Sequence, residues 1–364
     1  MPPIDGTEQD AGTESRACAQ GGVTTALNYM RTGQYYLNRG GDYADVFPEV
    51  LSATEGKSYV DYAYHLAPMM RRHIEEIPAL VRDHGVTSFK VFMFYGSHGL
   101  HGRSTDQNSF LMIPEGERYD YAHFEFVMRG IQAAREQFPD LADEISLSLH
   151  CETAEIMDAA LRMAQAFPHI RFRREVTVGH LLADIDTASG IGGKVNPPLR
   201  PREDVEALWE HVLAGEVDWV VSDHACCRDE QKFGDPREDV FVAKSGFGGA
   251  EYLLAGLITE GTRRGLPLGE IAKLTAWNPA TRFGLRTKGA IEAGFDADFA
   301  LVDADTEWTV RAADSESTQE YTPFEGFAMT AAVTDTFVRG HRVLDTGKVV
   351  GDPIGRYQKR PTGA

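Results

Sequence analysis

The sequence predicts an α/β chain built from βα units on a parallel sheet or TIM-like barrel, with a small C-terminal β portion. Three observations lead there. Short apolar, β-rich runs alternate with helical patterns along most of the 364 residues. Several of those runs end in residues that bind metals or move protons, which in such barrels converge on one face. After about residue 287 the helical periodicity stops, and short strands joined by Gly and Asp turns take over. The predicted division is therefore a barrel over 1–287 and terminal strands with a tail over 288–364.

In chain order the predicted strands are TTALNYM, YVDYAYHL, SFKVFMFY, ISLSLHCE, FRREVTV and VDWVVSDHA. Between them lie helical patterns such as DAALRMAQAF and PREDVEALWEHVLAG. In the second, Val205, Leu208, Trp209 and Val212 recur at helical spacing behind a proline and an acidic first turn. The terminal strands fall in GAIEAGFDADFALVD and TFVRGHRVLDTGKVV. The polar stretches 229–240 and 312–323 read as surface loops.

A chain of this length can bury a large core, and 42% hydrophobic with 25% charged residues fits a globular class. The formal net charge of -19 argues against nucleic acid or an anionic membrane surface as a partner, since both demand a basic footprint. Four cysteines without paired spacing, two of them adjacent (Cys226 and Cys227), suit reduced thiols. The first residues show no basic start followed by an apolar run, and nowhere do eighteen apolar residues follow one another. These features predict a cytoplasmic, untethered protein.

The stretch VTSFKVFMFYGSHG sets Lys90 among Val, Phe and Met side chains. A lone lysine there reads first as a stem that snorkels to water. His150 alone reads as a hydrogen-bonded histidine at a strand end, and Asp223 alone as a helix cap. Taken together, the three sit at the ends of separate apolar strands and point to a shared site. An apolar setting lowers an amine's pKa. A neutral Lys90 amine could take up carbon dioxide to give a carbamate, an anionic ligand that bridges two divalent metals. A metal-activated water could then attack a carbonyl, with Asp223 moving the proton and Tyr95 donating to the developing oxyanion.

Together with these residues, RREVTVGHLL, GKVNPPLRPREDVEALW, LTAWNPATRFGL and KGAIEAGFDADFALVD resemble, in order from about residue 14 to 357, the cyclic amidohydrolases. This is the hydantoinase, dihydropyrimidinase, allantoinase and dihydroorotase branch of the amidohydrolase superfamily. The resemblance implies a (β/α)8 barrel with a β-sandwich, a dimeric or tetrameric assembly, and hydrolysis of a cyclic amide or ureide. It also implies two divalent metal ions, zinc foremost, although mixed N and O donors suit manganese or iron as well.

By the same resemblance Lys90 matches the carboxylated lysine, His150 a metal-ligand histidine, and Asp223 the metal-binding aspartate that serves as base and acid. Tyr95 matches the substrate-contacting tyrosine of hydantoinases and dihydropyrimidinases. Asn196 lies in the segment whose backbone reads the ring amide, worded here as in dihydroorotases and allantoinases, and Gly246 opens a substrate-side turn. His180 and His224 are nearby candidates for further metal ligands, but each reads first as a hydrogen-bonding residue that supports the ligands.

Two family features have no counterpart in this sequence. The His-x-His strand would lie before MPPIDG, and a sixth strand with its histidine would fall between LSLHCE and RREVTV. An incomplete barrel is one expectation from this. A non-catalytic oligomeric scaffold of the same architecture is the reading that competes with the hydrolase. His98 and His101 read as lid residues, and Cys226 and Cys227 as inert thiols or as lining of the pocket mouth.

Overall fold

The computed structural model describes residues 7–32, 39–93, 121–151, 162, 171–225 and 227–363. Two parallel arcs of strand form its centre. The larger runs β1 (Thr25–Met30), β2 (Asp61–Leu66), β3 (Ser88–Met93) and β4 (Ser146–Cys151) in sequential order. The smaller pairs β5 (Glu175–Thr177) with β6 (Trp219–Val221). Each arc carries helices on one face, because parallel neighbours need a crossover to return the chain. The predicted strands thus stand, although FRREVTV and VDWVVSDHA keep only three paired residues each. The helix expected over DAALRMAQAF lies outside the described residues apart from Arg162.

Alternation along the strands assigns their faces. Tyr62, Tyr64, Leu66, Phe89 and Val91 pack with α2 (Tyr43–Thr54), α3 (Arg71–His84) and α4 (Tyr121–Gln137) in one apolar core. The intervening residues, His65, Lys90, Phe92, Ser148 and His150, therefore face the other side, the interior. Phe283 joins the two arcs there, with its ring 4.9 Å from His65 and 5.5 Å from Trp219. Among the described residues no strand lies between β4 and β5, so a closed barrel is not traced through them.

Local chemistry explains the helices. α3 stops at Gly85, whose φ of +64° is the left-handed cap that glycine adopts without penalty. A Cβ there would stand 2.5 Å from the amide nitrogen of Arg360, so the site also excludes side chains for contact reasons. The predicted helix PREDVEALWEHVLAG is α6 (Arg202–Leu213), with Glu203 and Asp204 in its first turn and His211 in its last, matching the macrodipole. It docks through Trp209, fully buried, whose indole N–H donates to the Leu181 carbonyl at 2.8 Å on α5 (Val178–Leu182).

The C-terminal part forms an antiparallel sheet of β7 (Phe299–Asp303), β10 (Ala332–Val338), β11 (His341–Asp345) and β12 (Lys348–Val349). A second pair joins β8 (Trp308–Thr309) to β9 (Ala328–Met329). Val310, Tyr321, Phe324 and Met329 share a core with Leu181 and Trp209, so packing runs continuously across residue 288. The tail then returns beneath the larger arc. Tyr62 donates to the Arg356 carbonyl at 3.0 Å, and Gln358 donates to that of Tyr62 at 2.7 Å.

Two sequence expectations are corrected. The stretch 229–240 is not simply a surface loop. It opens with α7 (Asp229–Lys232), and Lys232 is fully buried because two carbonyls hold its ammonium. Likewise 312–323 buries Gln319, Tyr321 and Thr322, with the Gln319 side chain accepting from the Gly248 amide at 2.7 Å. No described helix is long and apolar enough to cross a membrane. Cys18 and Cys227 are both free thiols, and burial pushes Cys18 up to about 12.

Candidate active site

His150 stands near the carboxyl end of β4 and Asp223 just beyond β6. Lys90, by contrast, is the third of the six residues of β3, mid-strand rather than at the strand end that the sequence suggested. The register aligns Lys90 with Ser148 and Phe92 with His150, so Lys90 and His150 lie on one face, one pleat apart. Lys90 is half-buried, its ammonium 5.4 Å from the centre of the Phe92 ring and 5.9 Å from that of Tyr29. Aromatic faces offer a cation a partial substitute for water, which is how the apolar stretch accommodates the lysine. His150 stacks at a tilt on Phe92, centroid to centroid 4.6 Å.

Burial is the main cause that brings His150 down to about 4. Lys90 and His180 push the same way, and Asp223 opposes them. The imidazole is therefore neutral at physiological pH and keeps a lone pair for a metal. Asp223 is exposed and sits past β6 with φ +47°, a left-handed conformation that aspartate tolerates better than most residues and that recurs at functional positions. Lys90, Asp223 and His180 all act on the charge of His150, so one amine, one neutral imidazole and one carboxyl group lie near one another on this side of the strands.

His180 is oriented rather than free. Thr177 caps α5, accepts from the His180 amide at 3.4 Å, and its hydroxyl meets Nδ1 at 2.5 Å. Nε2 then carries the proton and donates to the Pro197 carbonyl at 3.0 Å. With both ring nitrogens engaged, His180 ties β5 to the Asn196 segment, as a supporting residue would. His224 is engaged too, on the side of α1 (Thr7–Gln20). Its Nδ1 accepts from the amides of Gly249 and Ala250, and its Nε2 lies 2.8 Å from Glu14.

Gly246 is buried with φ +107°, and a Cβ there would meet Ala225 at 2.8 Å. Its N–H donates to the Lys194 carbonyl and its C=O accepts from Lys232, so both its polar groups serve the fold. Asn196 is half-buried between these anchors. Tyr95, His98, His101 and Cys226 lie outside the described residues. Cys227 is half-buried, 3.5 Å from the Tyr321 hydroxyl.

The sequence reading passed over His65. It lies in the strand YVDYAYHL on the interior face, with Nδ1 buried and unbonded. Its pKa is driven well below the ordinary value by burial, and further by Arg360 and Lys90. The same pattern that flagged His150, a histidine near the end of an apolar strand, would have found it.

Three carboxylates, Asp61, Asp296 and Asp298, also cluster closely enough for a cation. That place is already filled by Lys288, whose ammonium reaches them at 2.8, 3.0 and 2.5 Å, while Arg339 also pairs with Asp61. The cluster lies at the start of β2, at the end of the sheet away from His150. It is a salt-bridge network rather than a metal centre.

The depressed histidines give a pH prediction. A histidine whose folded pKa lies below its unfolded value near 6.5 adds stability above that value and loses it as pH falls through the folded pKa. His65, His73, His150 and His180 all shift down. Thermal unfolding of the metal-free protein is thus expected to shift to lower temperature between pH about 6.5 and about 4. The His150→Gln variant should show a shallower decline, and equal slopes would refute a buried neutral His150.

Comparison with known proteins gives this geometry its context. The amidohydrolase family model matches residues 123–343. The chain belongs to the amidohydrolase family. An allantoinase of Rubrobacter xylanophilus is 41% identical over 221 residues, 60% of this chain and 48% of that protein. A dihydroorotase of Methanothermobacter thermautotrophicus is 30% identical over 379 residues, 96% of this chain and 82% of that protein. The chain thus spans about half of the first relative in the match and most of the second. Among solved structures, dihydropyrimidinase from Brevibacillus agri NCHU1002 superposes with TM-score 0.75 at 25% identity, covering 97% of this chain and 84% of its own. A D-hydantoinase structure gives 0.73 at 26% identity, covering 96% and 83%. The two parallel arcs accordingly belong to the barrel architecture of these amidohydrolases.

Proposed function

We propose that the chain is a metal-dependent hydrolase that opens the C–N amide bond of a cyclic amide or ureide, of hydantoin or dihydropyrimidine type. The grouping of Lys90, neutral His150 and Asp223 in a chain of this family carries this reading. The donors suit a divalent ion, zinc foremost: three protein groups with room for water is a common catalytic arrangement. Carboxylation of Lys90 would convert its amine into an anionic oxygen donor, able to serve two ions at once. A second ion would draw further donors from outside the three. When bound, a divalent ion polarises the amide carbonyl and acidifies water.

The chain's own groups then divide the work. Asp223 accepts the proton of the attacking water and returns it to the departing ring nitrogen. Tyr95 donates to the oxyanion. The Asn196 segment, held by His180 through the Pro197 carbonyl, presents backbone groups to the ring amide, and the Gly246 turn walls the same side. A second reading, allantoin or dihydroorotate as the ring, is favoured by the names of the two relatives above and by the VNPPLR segment. Self-association as a dimer or tetramer, which the family resemblance implies, belongs to the proposal too. The divided roles predict that Asp223→Asn lowers kcat by about 10^3-fold, since the residue would serve both as a donor to the ion and as the group that moves the proton, with metal content measured on the same sample. A variant with wild-type kcat would remove Asp223 from the chemistry.

A further inference from the structure

Lys232 has no part in the chemistry above, yet it is fully buried, a rare state for lysine. Its ammonium donates to the Lys194 carbonyl at 3.0 Å and to the Gly246 carbonyl at 2.6 Å, and lies 5.2 Å from the centre of the Tyr321 ring. The Gly246 N–H donates to the same Lys194 carbonyl at 2.9 Å. Lys194 reaches back in turn, its own ammonium donating to the carbonyls of Val240 and Ala243 at 2.7 and 2.6 Å. Two lysines thus grip each other's loops reciprocally.

This closed set of bonds joins three segments that flank Asp223 and Asn196. Lys194 lies two residues before Asn196, and Pro197 continues to His180. Phe247, next to Gly246, accepts from the Ala225 amide at 3.0 Å, two residues past Asp223. We propose that Lys232 is a positioning residue, clasping the Asn196 segment to the Gly246 turn beside Asp223 and so setting the affinity for the ring substrate. The assignment rests on the function proposed above. Burial is the main cause that pushes the Lys232 ammonium down to about 7, with Lys194 pushing the same way and Cys227 opposing. Its two carbonyl partners and the Tyr321 face stand in for the water it has lost.

The test is Lys232→Met in the full chain. Its readouts are steady-state hydrolysis of a cyclic amide, metal content, and amide hydrogen exchange. The expected result is a KM raised about 10- to 100-fold, the worth of a buried charge-assisted hydrogen bond. kcat should stay within about threefold and metal content should not change, while the Gly246 and Ala225 amides exchange faster. Lys232→Arg, which keeps the donors, should recover part of the KM. A role confined to stability would lower the unfolding midpoint and leave KM alone, which overturns the assignment. Should Lys232→Met fail to fold, Lys194→Met loosens the same clasp from its other side, and an unchanged KM there overturns it equally. Wild-type protein that opens no ring would instead overturn the functional reading beneath it.

Discussion

Lys90→Arg is expected to abolish ring opening as completely as Lys90→Met, by about 10^3-fold or more, or about 4 kcal/mol of transition-state stabilisation. The comparison matters because arginine keeps the positive charge and the aromatic contacts with Tyr29 and Phe92 that Lys90 makes. A guanidinium remains protonated and does not take up carbon dioxide. If Lys90 served only as a fixed cation, the arginine variant would retain much of the activity. Metal content should fall in both variants, and the folded state should survive, because the side chain is half-buried on the interior face rather than packed in the helix-covered core. Kinetics and elemental analysis on one preparation of each variant decide the point.

Lys288→Met carries the largest expected stability effect. The lysine is 4% exposed and meets Asp61, itself fully buried, together with Asp296 and Asp298. Burial opposes its charge, but Asp61 and Asp298 outweigh it and hold its pKa above the ordinary value. Removing one partner of a buried ion pair leaves charge uncompensated and costs about 3–5 kcal/mol. Arg339 and the Arg356 amide still attend Asp61, which places the expectation toward the lower end. Urea unfolding of the variant should show a lower midpoint at similar slope. Because the folded pKa is raised, this contribution is whole below the unfolded lysine value near 10.4 and is lost as pH climbs through the folded one. An unchanged midpoint would mean that the network merely breaks even with an apolar replacement.

The parts of the molecule that the sequence revealed are those written in local pattern. Apolar runs became β1 to β6, Trp209 sat on the buried face of its predicted helix, and the shared face of Lys90 and His150 followed from alternation, although Lys90 lies mid-strand rather than at a strand end. What stayed hidden depends on partners distant in the chain. DEQK at 229–232 looks like a solvated turn, and only the carbonyls of Lys194 and Gly246 make its lysine a buried one. α1 carries no strong apolar stripe, and Glu14 on it becomes meaningful through His224, 210 residues later. Arg360, 1% exposed beneath β2 and β3, donates to the Ser88 hydroxyl and the Tyr64 carbonyl, contacts that no local periodicity announces. His65 is different in kind, since its pattern was visible and was not weighed.

The most direct measurement is ring opening by the purified protein on hydantoin, dihydrouracil, allantoin and dihydroorotate, after chelation and again after reloading with zinc or manganese. The account predicts no turnover in the chelated protein and hydrolysis of at least one of these rings on reloading. Metal-loaded, folded protein that opens none of the four would contradict it.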